Sequence, residues 1–323
     1  GVPYDSEVQV RLHADNGAGE EVADLVLAHT DPLPDTVPVP DLLSADPTAW
    51  GDADRWLLIG LSSGGDGWAS DGFWKLILDR EGRVVWAHET PNEYRTFYMQ
   101  PSRDGSELVW DECTFWTDFD HGDGSTAHRM TLDGTVTETA ALPGLHHAFV
   151  DVGDGGIAWG GYDGPREVLR ELDADGATRE IWDCSAYWRD HGAAEPCDGN
   201  ALYYDDVTDR FLYSSDSGNS VAEVDRATGE VLRTFGQLPG SMPFAEGTAP
   251  FFKQHGVHWT AAGTLLMSAW TDEVDHQILA REFEVDEDEG VLREIWRCGE
   301  GTGTTGEYAG EAHRLQSGNT LLN

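Results

Sequence analysis

The residues with most chemistry to offer recur at matching places along the chain. Gln254-His255-Gly256-Val257-His258-Trp259 precedes the apolar run Gly263-Thr264-Leu265-Leu266-Met267-Ser268. His146-His147 precedes Gly156-Ile157-Ala158-Trp159, and Glu311-Ala312-His313 precedes Gly318-Asn319-Thr320-Leu321-Leu322. Asp198-Gly199-Asn200 precedes Arg210-Phe211-Leu212-Tyr213. Each is a polar group at a strand start, followed by a strand, a turn and a second strand. If the units face one axis, His147 (or His146), His255, His313, Asp198, Asn200 and Glu311 share one space. Imidazole with carboxylate suits Zn, Mn, Fe or Ni, whereas Asp, Asn and Glu alone would suit Ca. The expected metal ligands are His147, His255, His313, Asp198 and Glu311. An incompletely ligated metal brings the pKa of its water to about 7 and makes a nucleophile. Asp198 would serve as ligand or general base. Such a centre hydrolyses phosphate, sulfate or carboxylic esters, lactones included.

The elements that must position these residues are short strands. Aromatic and β-branched runs are punctuated by Asp-Gly turns, and no long helix with a 3.6-residue period is visible. Units run at about 55–90, 95–140, 145–183, 198–236 and 254–297. A half unit covers 311–323, and residues 8–28 read as a hairpin without an inner partner. Joining the two would make a sixth unit and close a ring without free sheet edges. The expected fold is therefore all-β: a six-bladed β-propeller, one domain over 1–323, closed by pairing the N-terminal hairpin with the C-terminal half blade. Residues 31–51 carry five prolines and read as an irregular connection. The inserts 184–197 and 237–253 would cross between blades over the channel mouth, where Phe244, Phe251 and Phe252 could line a substrate. Trp86, Trp182 and Trp296 are read as packing between blades.

A net charge of -40, with Lys75 and Lys253 as the two lysines, gives a surface that repels nucleic acid and anionic membrane. No run reaches the 18 or so apolar residues of a membrane span. The expected partner is a small-molecule ester, and the expected state a monomer. The chain begins at Gly1 without Met, which is read as a removed leader or a trimmed chain and a secreted or periplasmic protein. Four cysteines lack CxxC spacing; Cys184 and Cys197 bracket one polar loop and could form a disulfide in an oxidising compartment.

Phe252-Lys253-Gln254-His255, the Gly-Thr-Leu-Leu hairpin after it, the outer hairpin 221–235 and His313-Arg314-Leu315-Gln316-Ser317-Gly318-Asn319-Thr320-Leu321 together resemble the arylsulfotransferase-like six-bladed propellers, mostly over 145–323. The resemblance implies that His255 takes a sulfuryl group covalently and that Asn200 helps cradle its oxygens. The chain departs from the family pattern at Asp198, where a His is expected, and at Asp216, where an Arg is. Sulfuryl transfer needs cationic donors on three oxygens. Two carboxylates reverse that charge, and like charges a few ångströms apart cost several kcal/mol at an effective dielectric of about 20. The departures thus favour a bound cation. Arg95 could contact an anionic substrate. Arg314 falls on the opposite face from His313 in a regular strand. His258, three residues after His255, is likewise read as facing away, and His88, His121, His128 and His276 as surface residues. A strand-start histidine can also be a hydrogen-bonded packing residue, and a propeller can be a non-catalytic binding module. Residues 117–124 partly resemble a calcium loop but lack its distal Glu, which favours a hairpin turn.

Overall fold

Aspartate side chains shape the turns on which the sheets depend. Asp173 Oδ1 accepts the backbone N–H groups of Asp175 (3.0 Å) and Ala177 (2.8 Å), and Gly176 completes the turn at φ 81°. Asp79 does the same for Glu81 and Arg83, and Asp225 for Thr228. A short acceptor that captures nearby backbone donors is what makes Asp a turn residue. Part of the acidic composition is therefore structural.

The computed structural model describes residues 2–10, 13–15, 20–22, 26–49, 51, 54–63, 72–90, 95, 98–115, 122–131, 133–271, 276–306 and 310–323. Most of the expected calcium-like loop, 117–121 with His121, lies outside them. The chain, read from sequence as one domain, divides into two compact units, Gly1–Asn92 and Glu93–Asn323.

In the first unit β1 (Glu7–Val10) pairs with β4 (Val26–His29), and β2 (His13–Asp15) pairs with β3 (Glu20–Val22) inside that hairpin. A three-stranded antiparallel sheet follows: β5 (Leu57–Ser63), β6 (Gly72–Leu78) and β7 (Val84–Thr90). Its core is Trp74, Leu76, Leu78 and Val84, with Val37 from the proline-rich connection.

The second unit holds four four-stranded antiparallel meanders. They are β8 (Met99–Pro101), β9 (Glu107–Glu112), β10 (Thr126–Thr131) and β11 (Val136–Ala141); β12 (Leu145–Gly153), β13 (Gly156–Asp163), β14 (Arg166–Leu172) and β15 (Thr178–Asp183); β16 (Gly199–Asp205), β17 (Arg210–Ser215), β18 (Ser220–Asp225) and β19 (Val231–Gly236); and β20 (Phe252–Trp259), β21 (Leu265–Trp270), β22 (Leu279–Asp286) and β23 (Val291–Cys298). A pair, β24 (Ala312–Arg314) with β25 (Thr320–Leu322), ends the chain. The first strands lie side by side: β12 against β16, β16 against β20, β20 against β24. Gln100 Nε2 on β8 donates to Phe149 O on β12 (3.2 Å). Meanders whose first strands line up in sequence order are propeller blades. The second strands are sealed on both faces, as β21 is along its whole length.

The blade count departs from the six expected. Among the described residues there are five blade sheets, the three-stranded one included. The sixth, joining 8–28 to 311–323, is not formed: β1 pairs with β4 and β24 with β25, and no described ladder links them. Each segment instead satisfies its ladder with a partner close in sequence, and Val10 and Val26, which pair across β1 and β4, are left more than half exposed.

The insert after β15 contains a short helix, α1 (Cys184–Asp190), capped by Asp183, whose Oδ1 accepts from Ala186 N at 2.7 Å. Cys184 and Cys197 form a disulfide. Trp188 is fully buried and meets Trp182 edge-on, while Trp182 also meets Tyr213 of the next blade at 5.4 Å. The 237–253 insert packs inward as well: Phe251 is fully buried between Phe244 (5.4 Å) and Phe283 (5.8 Å). Phe251 is thus a core residue where the sequence suggested a substrate wall, because three aromatic rings remove more apolar surface together than one ring at a channel mouth. Phe252, half-buried at the start of β20, pairs with Trp270 across the ladder.

Candidate metal and active site

The first strands are bulged where they carry their polar residues. On β12, Leu145 faces Gly161 and Phe149 faces Trp159, so four steps match two on the partner strand. The extra residues let the consecutive side chains of His146 and His147 meet, which alternation in a regular strand forbids. On β16 the register slips by one at Asn200, between Gly199 and Ala201. On β20 it slips twice, around Lys253 (φ 51°) and Gly256 (φ 59°). The second slip changes the reading of His258. His255 lies opposite Ser268 and His258 opposite Leu266, two steps apart, so both return to one face of the sheet.

His146, His147 and Asp198 form the group that could hold a metal ion among the described residues, with one ligand atom from each within 4.8 Å of the others. His146 is the anchor. Its Nε2 lies 2.9 Å from both oxygens of Glu167, and both side chains are sealed from solvent. An ionised carboxylate can only accept, so this contact puts the His146 proton on Nε2 and leaves Nδ1 with a lone pair. That Nδ1 faces Nδ1 of His147 at 2.5 Å. Tyr213 Oη donates a short hydrogen bond to Glu167 Oε1. A histidine oriented by a carboxylate through one nitrogen, with the other turned to a neighbouring donor, is the usual arrangement of a metal-binding imidazole. The rings of Tyr162 and Phe115 lie against His146 at 4.6 and 5.5 Å.

The charges are set by burial. Burial opposes protonation of His146, but Glu167 outweighs it and raises the pKa. His147 is pushed well below the usual imidazole range by burial, and then by the nearby His146 and His255. Asp198 is raised, first by burial and also by Glu167 and Asp216, against the pull of His146; Tyr162 Oη donates to its Oδ1 at 3.4 Å. A tetrahedral zinc site has donor–donor edges of about 3.3 Å. The widest edge here exceeds that by at most about 1.5 Å, and the long Tyr162 bond leaves Asp198 room to swing inward. The edge between the two Nδ1 atoms, 2.5 Å, is shorter, so an ion would require the imidazoles to part or His147 to turn its other nitrogen inward.

A second cluster adjoins the first. His255 Nδ1 lies 3.1 Å from Lys253 O, and its Nε2 lies 3.4 Å from Asn200 Nδ2, which also donates to Gln254 O at 2.8 Å. The carbonyl can only accept, so Nδ1 carries the proton and Nε2 the lone pair. Burial leads in lowering the pKa of His255. Lys253 Nζ lies 2.5 Å from Asp216 Oδ2 and forms an ion pair with it. Glu311 holds His313 Nε2 at 2.7 Å, and its charge reaches His255 and Tyr98. Gly256 lets Glu311 approach, since a Cβ there would come 3.0 Å from that of Glu311.

The expected ligand set therefore divides. His147 and Asp198 are in the converging group, and His146 joins them. His255 and Asn200 form the adjoining cluster. His313 is 45% exposed, stacked on His258 at 5.7 Å, and serves Glu311. Arg95 sits in an isolated backbone bridge with Cys113 (2.9 and 2.7 Å). Arg314 bonds Glu282 and covers the Trp296 ring. His88, His128 and His276 stack on Trp86, Trp110 and Trp270. Glu167, Tyr213, Tyr162 and Lys253 were missed by sequence reasoning. For Glu167 a faint signal exists, since it shares strand parity with the apolar Leu169; for Tyr213 there is none.

No helix among the described residues is long and apolar enough to cross a membrane. No protein-family model matches the chain, and no curated protein does. Solved structures similar to it can be named. A Bacteroides caccae protein of unknown function is 15% identical, with a TM-score of 0.51 over 81% of this chain and 80% of that one. The Cps50 (Swd1) β-propeller domain of Myceliophteria thermophila is 15% identical, with a TM-score of 0.43 over 71% of this chain and 68% of that one. A candidate 6-phosphogluconolactonase from Bacteroides uniformis is 13% identical, with a TM-score of 0.46 over 98% of this chain and 89% of that one. At 15% identity the likeness to the Bacteroides caccae protein concerns the fold alone. The chain is an all-β protein of the propeller class.

Proposed function

We propose that this chain is a divalent-metal-dependent hydrolase of phosphate, sulfate or carboxylic esters, lactones included. The observation that carries the reading is the convergence of His146, His147 and Asp198, with Glu167 fixing the tautomer of His146. The nitrogen-rich set suits Zn, Mn, Fe or Ni better than Ca. When bound, the ion supplies a water acidic enough to attack at neutral pH. His146 and His147 hold the ion, Asp198 completes the set, and Glu167 with Tyr213 keeps His146 aimed. His255 Nε2, kept neutral by burial, accepts the proton of the attacking water, and Asn200 Nδ2 donates beside it. Tyr162 and Phe115 stack on each other and lie against His146 as an aromatic wall. The test is elemental analysis of purified protein before and after chelation, combined with a panel of carboxylic, phosphate and sulfate esters. Bound transition metal, loss of turnover on chelation and recovery on readdition are expected. Full turnover by metal-free protein would overturn the reading.

A second reading, sulfuryl transfer through His255, draws support from the same tautomer, because an unprotonated Nε2 beside an amide donor is also a nucleophile. Mass spectrometry after incubation with an aryl sulfate decides it: absence of a sulfuryl adduct on His255 removes it.

A further inference from the structure

We propose that the disulfide-closed segment 184–197 is a positioning device that holds the orienting carboxylate Glu167 and the ligand Asp198 together; the proposal rests on the metal reading above. The segment touches the site at both ends. At its start, Ser185 Oγ on α1 accepts the backbone N–H of Glu167 at 2.8 Å. The neighbouring residue is tied to the same place, since Arg166 Nη1 lies 3.1 Å from Asp183 Oδ2. Asp183 is also the helix cap through its other oxygen. Residues 166–167 are thus clamped to residues 183–185 by a side chain from each side.

At the other end, Cys197 is joined to Cys184 and directly precedes Asp198. The Asp198 backbone is pinned further: its carbonyl accepts from Asp216 N at 2.9 Å, and its N–H donates to Ser215 Oγ at 3.2 Å. Between the ends, Trp188 is fully buried against Trp182, so the helix cannot slide without opening the core between two blades. The disulfide therefore does more than close a loop. It fixes the distance between the strand that aims His146 and the strand start that presents Asp198. Ser185, Cys184 and Cys197 are outside the converging ligand group, and their effect passes through Glu167 and Asp198.

The experiment compares Co²⁺ binding, followed by its visible absorption bands, in wild-type protein, Ser185→Ala, Ser185→Thr and the double variant Cys184→Ala/Cys197→Ala. Far-UV circular dichroism checks folding. Groups supporting metal ligands typically change affinity 10–100-fold. A loss of about 10-fold is expected for Ser185→Ala, recovery for Ser185→Thr, which keeps the hydroxyl, and a loss of about 10–100-fold for the double variant. A role in stability alone would lower the melting temperature and leave the Co²⁺ bands and affinity unchanged. Wild-type affinity in both folded Ser185→Ala and the folded double variant would overturn the proposal; if the double variant does not fold, Ser185→Ala decides. Wild-type protein that takes up no Co²⁺ would overturn the metal assignment itself, and this positioning role with it.

Discussion

Gly199 lies between Asp198 and Asn200, and the site depends on its having no side chain. A Cβ there would stand 2.1 Å from Tyr213 Oη, 2.5 Å from Tyr213 Cζ and 2.7 Å from Glu167 Oε1. Its backbone is not in the left-handed region, so Gly199→Ala introduces no φ strain and tests sterics alone. To reach ordinary contact, the Tyr213 hydroxyl must retreat by about 1.3 Å and the Glu167 carboxylate by about 0.7 Å. A retreat of that size stretches the 2.9 Å contact between Glu167 and His146 past hydrogen-bonding range. Overpacking a full core costs about 1–3 kcal/mol, while Gly→Ala at a permissive backbone returns about 0.4–1 kcal/mol through the unfolded chain. The expected net loss is about 1–2 kcal/mol in urea unfolding, with metal affinity falling about 10–100-fold as His146 loses its orienting carboxylate. Adding Tyr213→Phe removes the nearest clashing atom, so the double variant should be more stable than additivity allows by more than about 0.5 kcal/mol. A Gly199→Ala protein as stable as wild type, with wild-type metal affinity, would refute the packing argument and the role assigned to Glu167.

Three further outcomes follow from the geometry. Phe251→Ala should cost about 3–5 kcal/mol of stability, read by chemical denaturation, because Phe251 is core; unchanged stability with a raised KM would restore it to the substrate wall. His258 is held by burial at a pKa of about 4, below its unfolded value. The unfolded chain therefore binds the extra proton first, and stability is full above pH 6.5 and lost as pH falls from there towards 4, by at most about 3 kcal/mol. His258→Gln should flatten that part of the stability–pH curve, and an unaltered slope would disprove the assignment. Asn219 sits at φ 42° and its Oδ1 accepts from Lys253 N at 2.9 Å, supporting the bulge that aims His255. Asn219→Ala should lose about 1–2 kcal/mol through the lost bond and the left-handed backbone, and thermal unfolding indistinguishable from wild type would count against that support.

Much of the blade pattern was legible in the sequence. Alternating apolar runs and Asp-Gly turns delimit 145–183 and 198–236 almost to the residue, because strand period and turn chemistry are local properties. The polar strand starts were legible for the same reason: His147, Asp198 and His255 interrupt apolar patterns that a core would otherwise fill. The Cys184–Cys197 bridge was an open possibility, since spacing permits a disulfide but cannot bring two sulfur atoms together.

Tertiary structure decided which of these residues meet. Alternation assumes a regular ladder, yet β12, β16 and β20 each carry a bulge at their polar residue. A bulge is set by how two strands share hydrogen bonds, which no single strand's sequence records. It places His146 beside His147, and His258 on the face of His255. Glu167 and Tyr213 come from strands of two different blades, and only the packing of those blades brings them together beneath Gly199. The N-terminal hairpin shows the same limit from the other side: its strands could be read locally, but whether they joined a further sheet could not, because pairing between distant segments is not a local property.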